Sequence, residues 1–208
     1  MKKLQLAIDV DMTVVDVLQP WVQWMGVNHP EDYIRPTYES LDGHYNHHLA
    51  NLYGVDPDQI NDFWKKNDLY DNLQPMDGSV EAYKKLKEHF DVYFLTICYA
   101  GHKDSKQSFL QRHFGEDIEM IDSMSCKSHY DFNMLIDDNP KVLMGVHNAP
   151  QNFEHKKWGR HLVQLNQITP QNMKLLSNGD VSSSIIQTQH WNDMDSIIAR
   201  CFNVALCA

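Results

Sequence analysis

The sequence is short of basic clusters, of paired cysteines and of long apolar runs, and each shortage closes off a class of protein. Lys and Arg number 18 against 28 Asp and Glu, a net charge of −10. A sequence-blind duplex binder neutralises phosphates with clustered Lys and Arg. Here the basic groupings are Lys65-Lys66, Lys84-Lys85-Leu86-Lys87 and Lys156-Lys157, which read as solvated helix faces. An acidic chain that handles phosphate is expected to do so through a metal. The four cysteines, Cys98, Cys126, Cys201 and Cys207, form no CxxC pair. They read as reduced thiols in a cytoplasmic protein. Met1-Lys2-Lys3 mimics the start of a signal peptide, but the apolar run behind it is short and is broken by Asp9 and Asp11. No stretch approaches a membrane span.

What is present is enough for a core. The 208 residues are 42% hydrophobic, which suits one domain or one domain with a smaller insert. Leu4 to Asp9 is a short apolar run rather than an alternating one, as in a parallel strand buried on both faces. Similar strands are expected at 92–96, 118–121, 132–138 and, more weakly, 160–165. Amphipathic helices are expected at Val80–Phe90 and Lys103–His113, with a closing helix at Trp191–Val204. Strands alternating with helices imply a parallel sheet of βαβ units. Residues 166–189 read as a long polar surface loop.

Residues 17–76 differ in texture, being rich in Trp, Tyr, His, Asn and Asp. Two helices are expected there. One covers Tyr45–Leu52; the other starts at Asp56-Pro57, an N-cap with Pro in the first turn, and carries Ile60, Phe63 and Trp64. The segment lies between the first strand and the first crossover helix, so it reads as an insert.

Ligands of doubly wound sheets bind beyond the carboxyl ends of the strands. Three such ends carry unusual residues here: Asp9 and Asp11, then Thr96, then Asp137 and Asp138, with Lys127 in the loop before the last. A single Asp at a strand end is ordinarily a turn or helix cap. Two doublets are different, because like charges about 4 Å apart repel by roughly 1 kcal/mol in water and about 4 kcal/mol at an effective dielectric of 20. Converging carboxylates call for a cation. Mg²⁺ fits, since it takes oxygen ligands and is held by one or two carboxylates plus substrate phosphate.

In order, Asp9-Val10-Asp11-Met12-Thr13, Leu95-Thr96, Lys127 and Leu135-Ile136-Asp137-Asp138 resemble the four motifs of the haloacid dehalogenase superfamily. The second aspartate resembles its phosphotransferase branch. The insert, the run Leu135-Ile136-Asp137-Asp138-Asn139-Pro140 and Trp191 are similar to the 5′(3′)-deoxyribonucleotidase group. The resemblance implies an α/β fold. A Rossmann-like core with a parallel sheet flanked by helices, residues 1–16 and 77–208, would carry a small helical C1-type cap, residues 17–76, after the first strand.

It also implies roles. Asp9 would be the nucleophile that forms an aspartyl-phosphate. Asp11 would be the general acid and then the general base. Thr96 and Lys127 would hold the phosphoryl oxygens. Mg²⁺ would be held by Asp9, the backbone carbonyl of Asp11 and Asp137, with Asp138 in support. Trp21, Trp24, Phe63, Trp64 and Tyr70 could stack on a base, with Trp24 and Trp64 the first candidates, or could equally form the cap's own core. Two departures stand out: Met12 where the family usually has Gly, and Ile97-Cys98-Tyr99 after Thr96 where small polar residues are usual.

Other features are set aside. His44, His47 and His48 read as a polar helix face rather than a metal site. Cys98 reads as a bystander thiol, and Cys201 and Cys207 offer no signal. The expected activity is Mg²⁺-dependent hydrolysis of a small phosphomonoester, a nucleoside monophosphate first, without a nucleic-acid polymer or a membrane as partner. A homodimer is left open. The rivals are a phosphatase of sugar phosphates or other small phosphoesters, and a catalytically weak protein that binds nucleotide or a partner. A dehalogenase is disfavoured because Asp11 would have no role in removing halide.

Overall fold

The computed structural model describes residues 3–28, 56–99, 101–123, 126–149, 160–165 and 185–203. The expected helix at Tyr45–Leu52, the three histidines His44, His47 and His48, and Cys207 lie outside the described residues. Among the described residues, six strands form one parallel sheet: β1 (Gln5–Ile8), β2 (Asp91–Thr96), β3 (Met120–Asp122), β4 (Met134–Asp137), β5 (His161–Leu165) and β6 (Ile185–Thr188). Their order is β3-β2-β1-β4-β5-β6. The central strand β1 is in register with both neighbours, Ile8 standing opposite Phe94 of β2 and Ile136 of β4.

The helices are α1 (Leu18–Asn28), α2 (Pro57–Trp64), α3 (Ser79–His89), α4 (Lys103–Phe114), α5 (Pro140–Asn148) and α6 (Met194–Phe202). Short 3₁₀ turns stand at Lys127–His129 and Trp191–Asp193. None of the described helices is long and apolar enough to cross a membrane.

Alternate residues of the strands enter two separate cores, which explains why their sequences are apolar runs. Leu6, Ile8, Phe94, Met134 and Ile136 pack on one face with Tyr83 and Leu86 of α3, Phe109 of α4 and Ile198 of α6. Ala7, Tyr93, Leu95 and Leu135 pack on the other with Leu143 and Val146 of α5.

Several boundaries correct the sequence reading. The loop expected over 166–189 ends in a strand, β6, whose edge position lets it carry polar Gln187 and Thr188; Gln187 donates to the Gln164 side chain at 3.1 Å. Strand β3 begins at Met120 rather than Ile118, because the Ile118 amide closes a turn onto the Gly115 carbonyl at 3.3 Å. The closing helix starts as a 3₁₀ turn at Trp191 and becomes α-helical only at Met194. Helices α1 and α5 were not anticipated. Asp16 Oδ1 caps the first by accepting from the Leu18 and Gln19 amides, at 2.9 and 3.2 Å. Asn139 caps the second, accepting from the Lys141 amide at 3.0 Å, with Pro140 in the first turn.

Beyond β1 the chain turns away at Val14-Val15 and comes back beside them at Pro75-Met76 before α3. Val15 bridges Pro75, and the Met76 amide donates to the Val14 carbonyl at 2.8 Å. Between these points α1 and α2 touch through Trp24 and Phe63, whose ring centroids are 5.8 Å apart. Leu18, Trp21, Met25 and Phe63 are continuous with the main core rather than separate from it.

Candidate active site

The strand order reverses between β1 and β4, and at such a switch point the carboxyl ends of a doubly wound sheet open a crevice. Asp9 follows β1, and its amide still pairs with the Ile136 carbonyl at 2.9 Å. Asp137 ends β4 and Asp138 follows it. Oxygens of Asp9, Asp137 and Asp138 lie within 4.8 Å of one another, and all three residues are buried. The Lys127 ammonium, brought in by its 3₁₀ turn, donates to Asp9 Oδ1 and, at 2.8 Å, to Asp137 Oδ2. Asp137 Oδ1 accepts from the Asn139 amide at 2.8 Å. Thr13 accepts from the Asp138 amide at 3.2 Å and stands 3.4 Å from its carboxylate, while Trp191 Nε1 donates to the Thr13 carbonyl at 2.9 Å.

Asp11 sits on the turn beyond β1. Its Oδ1 accepts from the Tyr70 hydroxyl at 2.7 Å and its Oδ2 from the Lys106 ammonium at 2.8 Å. Lys106 is wholly buried and spends its other donors on Thr96 Oγ1 at 3.0 Å and the Ile97 carbonyl at 2.9 Å. Between Asp9 and Thr13 the backbone turns tightly: the Met12 amide donates to the Val15 carbonyl at 2.8 Å and Met12 has φ of 61°. That left-handed conformation costs a residue with a side chain about 1–2 kcal/mol, and glycine almost nothing.

These groups bound one cavity of about 290 Å³. Its floor is Asp9, Asp11, Thr96, Lys127, Asp137 and Asp138; its apolar wall includes Met12, Val17, Trp64, Ile97, Tyr99 and Val142. Of the eight residues proposed from the sequence as catalytic, metal-binding or substrate-binding, seven therefore meet here: Asp9, Asp11, Thr96, Lys127, Asp137, Asp138 and Trp64. Trp24 does not. It lines a different hollow with Phe63 and Lys66, the Lys66 ammonium lying 5.9 Å from the Trp24 ring centre.

Sequence reasoning missed Lys106 and His102, and it named Tyr70 only as an aromatic of the cap, not as a partner of Asp11. The signal for the first was available: Lys106 shares the stripe of α4 with Phe109 and Leu110, and a lysine on an apolar stripe needs a buried partner. His102 is buried at the cavity edge, where its Nε2 accepts from the Tyr99 amide at 3.0 Å and its Nδ1–H donates to the Trp64 carbonyl at 2.8 Å. Next to it, a Cβ on Gly101 would come within 2.5 Å of the Lys65 carbonyl, so only glycine permits this approach of α2 to the loop before α4.

Burial pushes the Asp9 carboxyl well above the ordinary carboxylate range; Lys127 opposes this, and Asp137 and Asp11 add to it. Burial works against the charge of Lys127, but Asp137 and Asp9 outweigh it and raise its pKa. Among the described residues around the cavity floor, four carboxylates face two ammonium groups, Lys106 and Lys127. The donors are carboxylate oxygens, the set a hard cation such as Mg²⁺ takes, so the residues fit the metal that the motifs imply.

No protein-family model matches the chain. A mouse protein, the mitochondrial 5′(3′)-deoxyribonucleotidase, is 31% identical over 85 residues, a match spanning 38% of this chain and 39% of the relative. A haloacid dehalogenase-like family hydrolase from Streptococcus pneumoniae superposes with a TM-score of 0.62 at 12% identity, over 94% of this chain and 98% of that one. A magnesium-bound hydrolase of the same kind from Bacillus subtilis gives a TM-score of 0.58 at 14% identity, over 95% and 99% of the two chains. The fold is that of the haloacid dehalogenase-like hydrolases. Solved L-2-haloacid dehalogenases have it too, so the fold by itself does not separate phosphatase from dehalogenase.

Proposed function

We propose that this chain is a Mg²⁺-dependent phosphomonoesterase acting on nucleoside monophosphates, of the 5′(3′)-deoxyribonucleotidase type. The observation that carries the reading is the pairing of Asp9 with a second aspartate, Asp11, held in the same cavity by its own donors. Displacing halide with Asp9 alone would leave Asp11 without work. Phosphate ester cleavage needs both a nucleophile and an acid-base group.

Asp9 and Asp137 would hold the metal with the backbone carbonyl of Asp11, and Asp138 would support them. When bound, Mg²⁺ compensates charge as the phosphoryl group moves. An Asp9 oxygen attacks phosphorus while the bond to the leaving oxygen breaks, giving an aspartyl-phosphate. The Asp11 carboxyl gives its proton to the leaving oxygen, then takes one from the water that cleaves the intermediate. Thr96 holds a phosphoryl oxygen by its hydroxyl, and Lys127 offsets charge on the phosphoryl group and on Asp9. Residues 17–76 act as the cap, with Trp64 in the wall that meets the leaving group. The mouse relative supports the nucleotide assignment.

The test is a phosphate-release screen over nucleoside monophosphates and sugar phosphates, with Mg²⁺ and with chelator. Release from nucleotides that stops on chelation is expected. Release from sugar phosphates alone would replace the substrate, and none from any ester would remove the enzymatic reading.

A further inference from the structure

Asp11 lies beyond the end of β1, so the sheet does not orient its carboxylate. Two donors do, one on each oxygen: the Tyr70 hydroxyl and the Lys106 ammonium. Tyr70 is fully buried and is absent from the cavity wall, so it stands behind Asp11 rather than against a substrate.

Tyr70 belongs to the stretch that returns from the insert, yet it is pinned to α4. Its amide donates to the Ser105 hydroxyl at 2.9 Å, and Ser105 in turn donates to Asp71 Oδ1 at 2.7 Å. Arg112 Nη2 donates to the carbonyls of Tyr70 and Asp71, at 3.2 and 3.0 Å. The Tyr70 ring meets His102 edge-on at 5.3 Å and Phe109 at 6.2 Å. One helix thus sets both donors, Lys106 directly and Tyr70 through Ser105 and Arg112.

We infer that Tyr70 is a positioning residue: its hydroxyl, anchored by α4, fixes the plane of the Asp11 carboxyl so that the proton leaves along the line to the departing oxygen. The inference rests on the phosphomonoesterase reading. In the first half of that reaction the Asp9–phosphorus bond forms, the ester P–O bond breaks, and the Asp11 proton ends on the leaving oxygen. In the second, water oxygen bonds to phosphorus, the Asp9–phosphorus bond breaks, and Asp11 regains a proton from the water. A misplaced Asp11 should therefore matter in proportion to the leaving group's need for a proton.

Tyr70→Phe removes the hydroxyl and keeps the ring. The measurement is kcat/KM with Mg²⁺ on two probes: p-nitrophenyl phosphate, whose leaving group departs as a stable anion, and glycerol 2-phosphate, whose alkoxide must be protonated. This constant reports the half-reaction in which the leaving group departs. Tyr70→Phe should lose about tenfold or more on the glycerol ester and less than about threefold on the nitrophenyl ester. A purely structural role would lower both alike. Ser105→Ala, which loosens the anchor without touching Asp11, should show the same selectivity in weaker form. Equal losses on the two esters in both variants, or no loss in a Tyr70→Phe protein that melts like the parent, overturn the inference. If the parent cleaves neither probe, a nucleoside 5′-monophosphate and its base-free nitrophenyl counterpart take their places, and a parent that releases phosphate from none of these esters overturns the phosphomonoesterase reading, and the inference with it.

Discussion

Two hollows flank helices α1 and α2, and they differ in kind. The one around Trp24 is the larger, about 570 Å³ against about 290 Å³. Its wall includes Pro20, Trp24, Val27, Phe63 and Leu69 beside polar Gln23, Asn28 and Asp68, with Lys66 lying over the Trp24 and Phe63 rings, an ordinary packing of a cation on aromatic faces. The smaller one is lined by four carboxyl groups and the Lys127 ammonium, with the buried Lys106 ammonium bonded to Asp11 behind its wall. Buried charges destabilise a fold unless they are paired, so convergence of this kind marks a site more surely than volume does. Phe63 and Trp64 make the contrast local: adjacent residues of α2 face different hollows.

The contrast can be broken by substitution, beginning where the effect is largest. Asp9→Asn should cut turnover by at least about 10³-fold, in line with loss of a covalent nucleophile, while circular dichroism stays that of the parent. A folded, active Asp9→Asn would remove the covalent mechanism. Next come the two groups bonded to each other at 2.8 Å. Lys127→Ala should cost roughly 10²–10³-fold in kcat, as for loss of one preorganised donor, and added Mg²⁺ should not recover it. Asp137→Ala should shift the Mg²⁺ titration to higher concentration and regain part of its activity in excess metal. Titrations that show the opposite pattern would exchange the two roles.

A smaller effect separates the tryptophans. Stacking on a base is worth about 1–3 kcal/mol, roughly a 5- to 150-fold preference. Trp64→Leu should raise KM for nucleotides within that range and leave KM for a small generic ester nearly unchanged. Trp24→Leu should change neither. Equal KM shifts in both variants would mean that the hollows are not distinct in function.

The smallest effect concerns His102, which is held neutral between the Tyr99 amide and the Trp64 carbonyl. Burial, then Lys106, lower its pKa below the ordinary value. Above about pH 6.5 folded and unfolded chains are both neutral there, so the group adds no pH dependence. Below it the unfolded chain takes up the proton first, and stability falls. Between pH 7.5 and pH 5.5 the parent's Tm should therefore drop more than that of His102→Gln. Parallel Tm curves would show that the lowered pKa has no bearing on stability.

The ends of β1, β2 and β4 were legible in the sequence because central parallel strands are buried on both faces and so read as apolar runs, stopped here by Asp9, Thr96 and Asp137. Edge strand β6 was not legible, since only Ile185 and Ile186 are apolar and Gln187 and Thr188 look like loop. The start of α5 was visible in Asn139-Pro140, yet those residues were absorbed into the motif beside them. Met12 was legible as an oddity only; its φ of 61° gives the physical reason why glycine is usual there. Lys106 and Tyr70 stayed hidden for a different reason. Their importance lies in contacts with Asp11, 95 and 59 positions away in the chain, and no local pattern announces such a pairing.

The register of β1 has a consequence for synthesis. Leu6 pairs with Val92 on one side and with Met134 on the other. The strand that delivers Asp9 is made before either neighbour, and its second neighbour ends only at Asp137. At about 5–20 residues per second, translation takes roughly 6 to 26 s to go from Ile8 to Asp137. Throughout that interval the nascent chain lacks at least one of the two strands that flank β1, since β2 is complete at Thr96 and β4 only at Asp137, so the centre of the sheet cannot close before Asp137 is made.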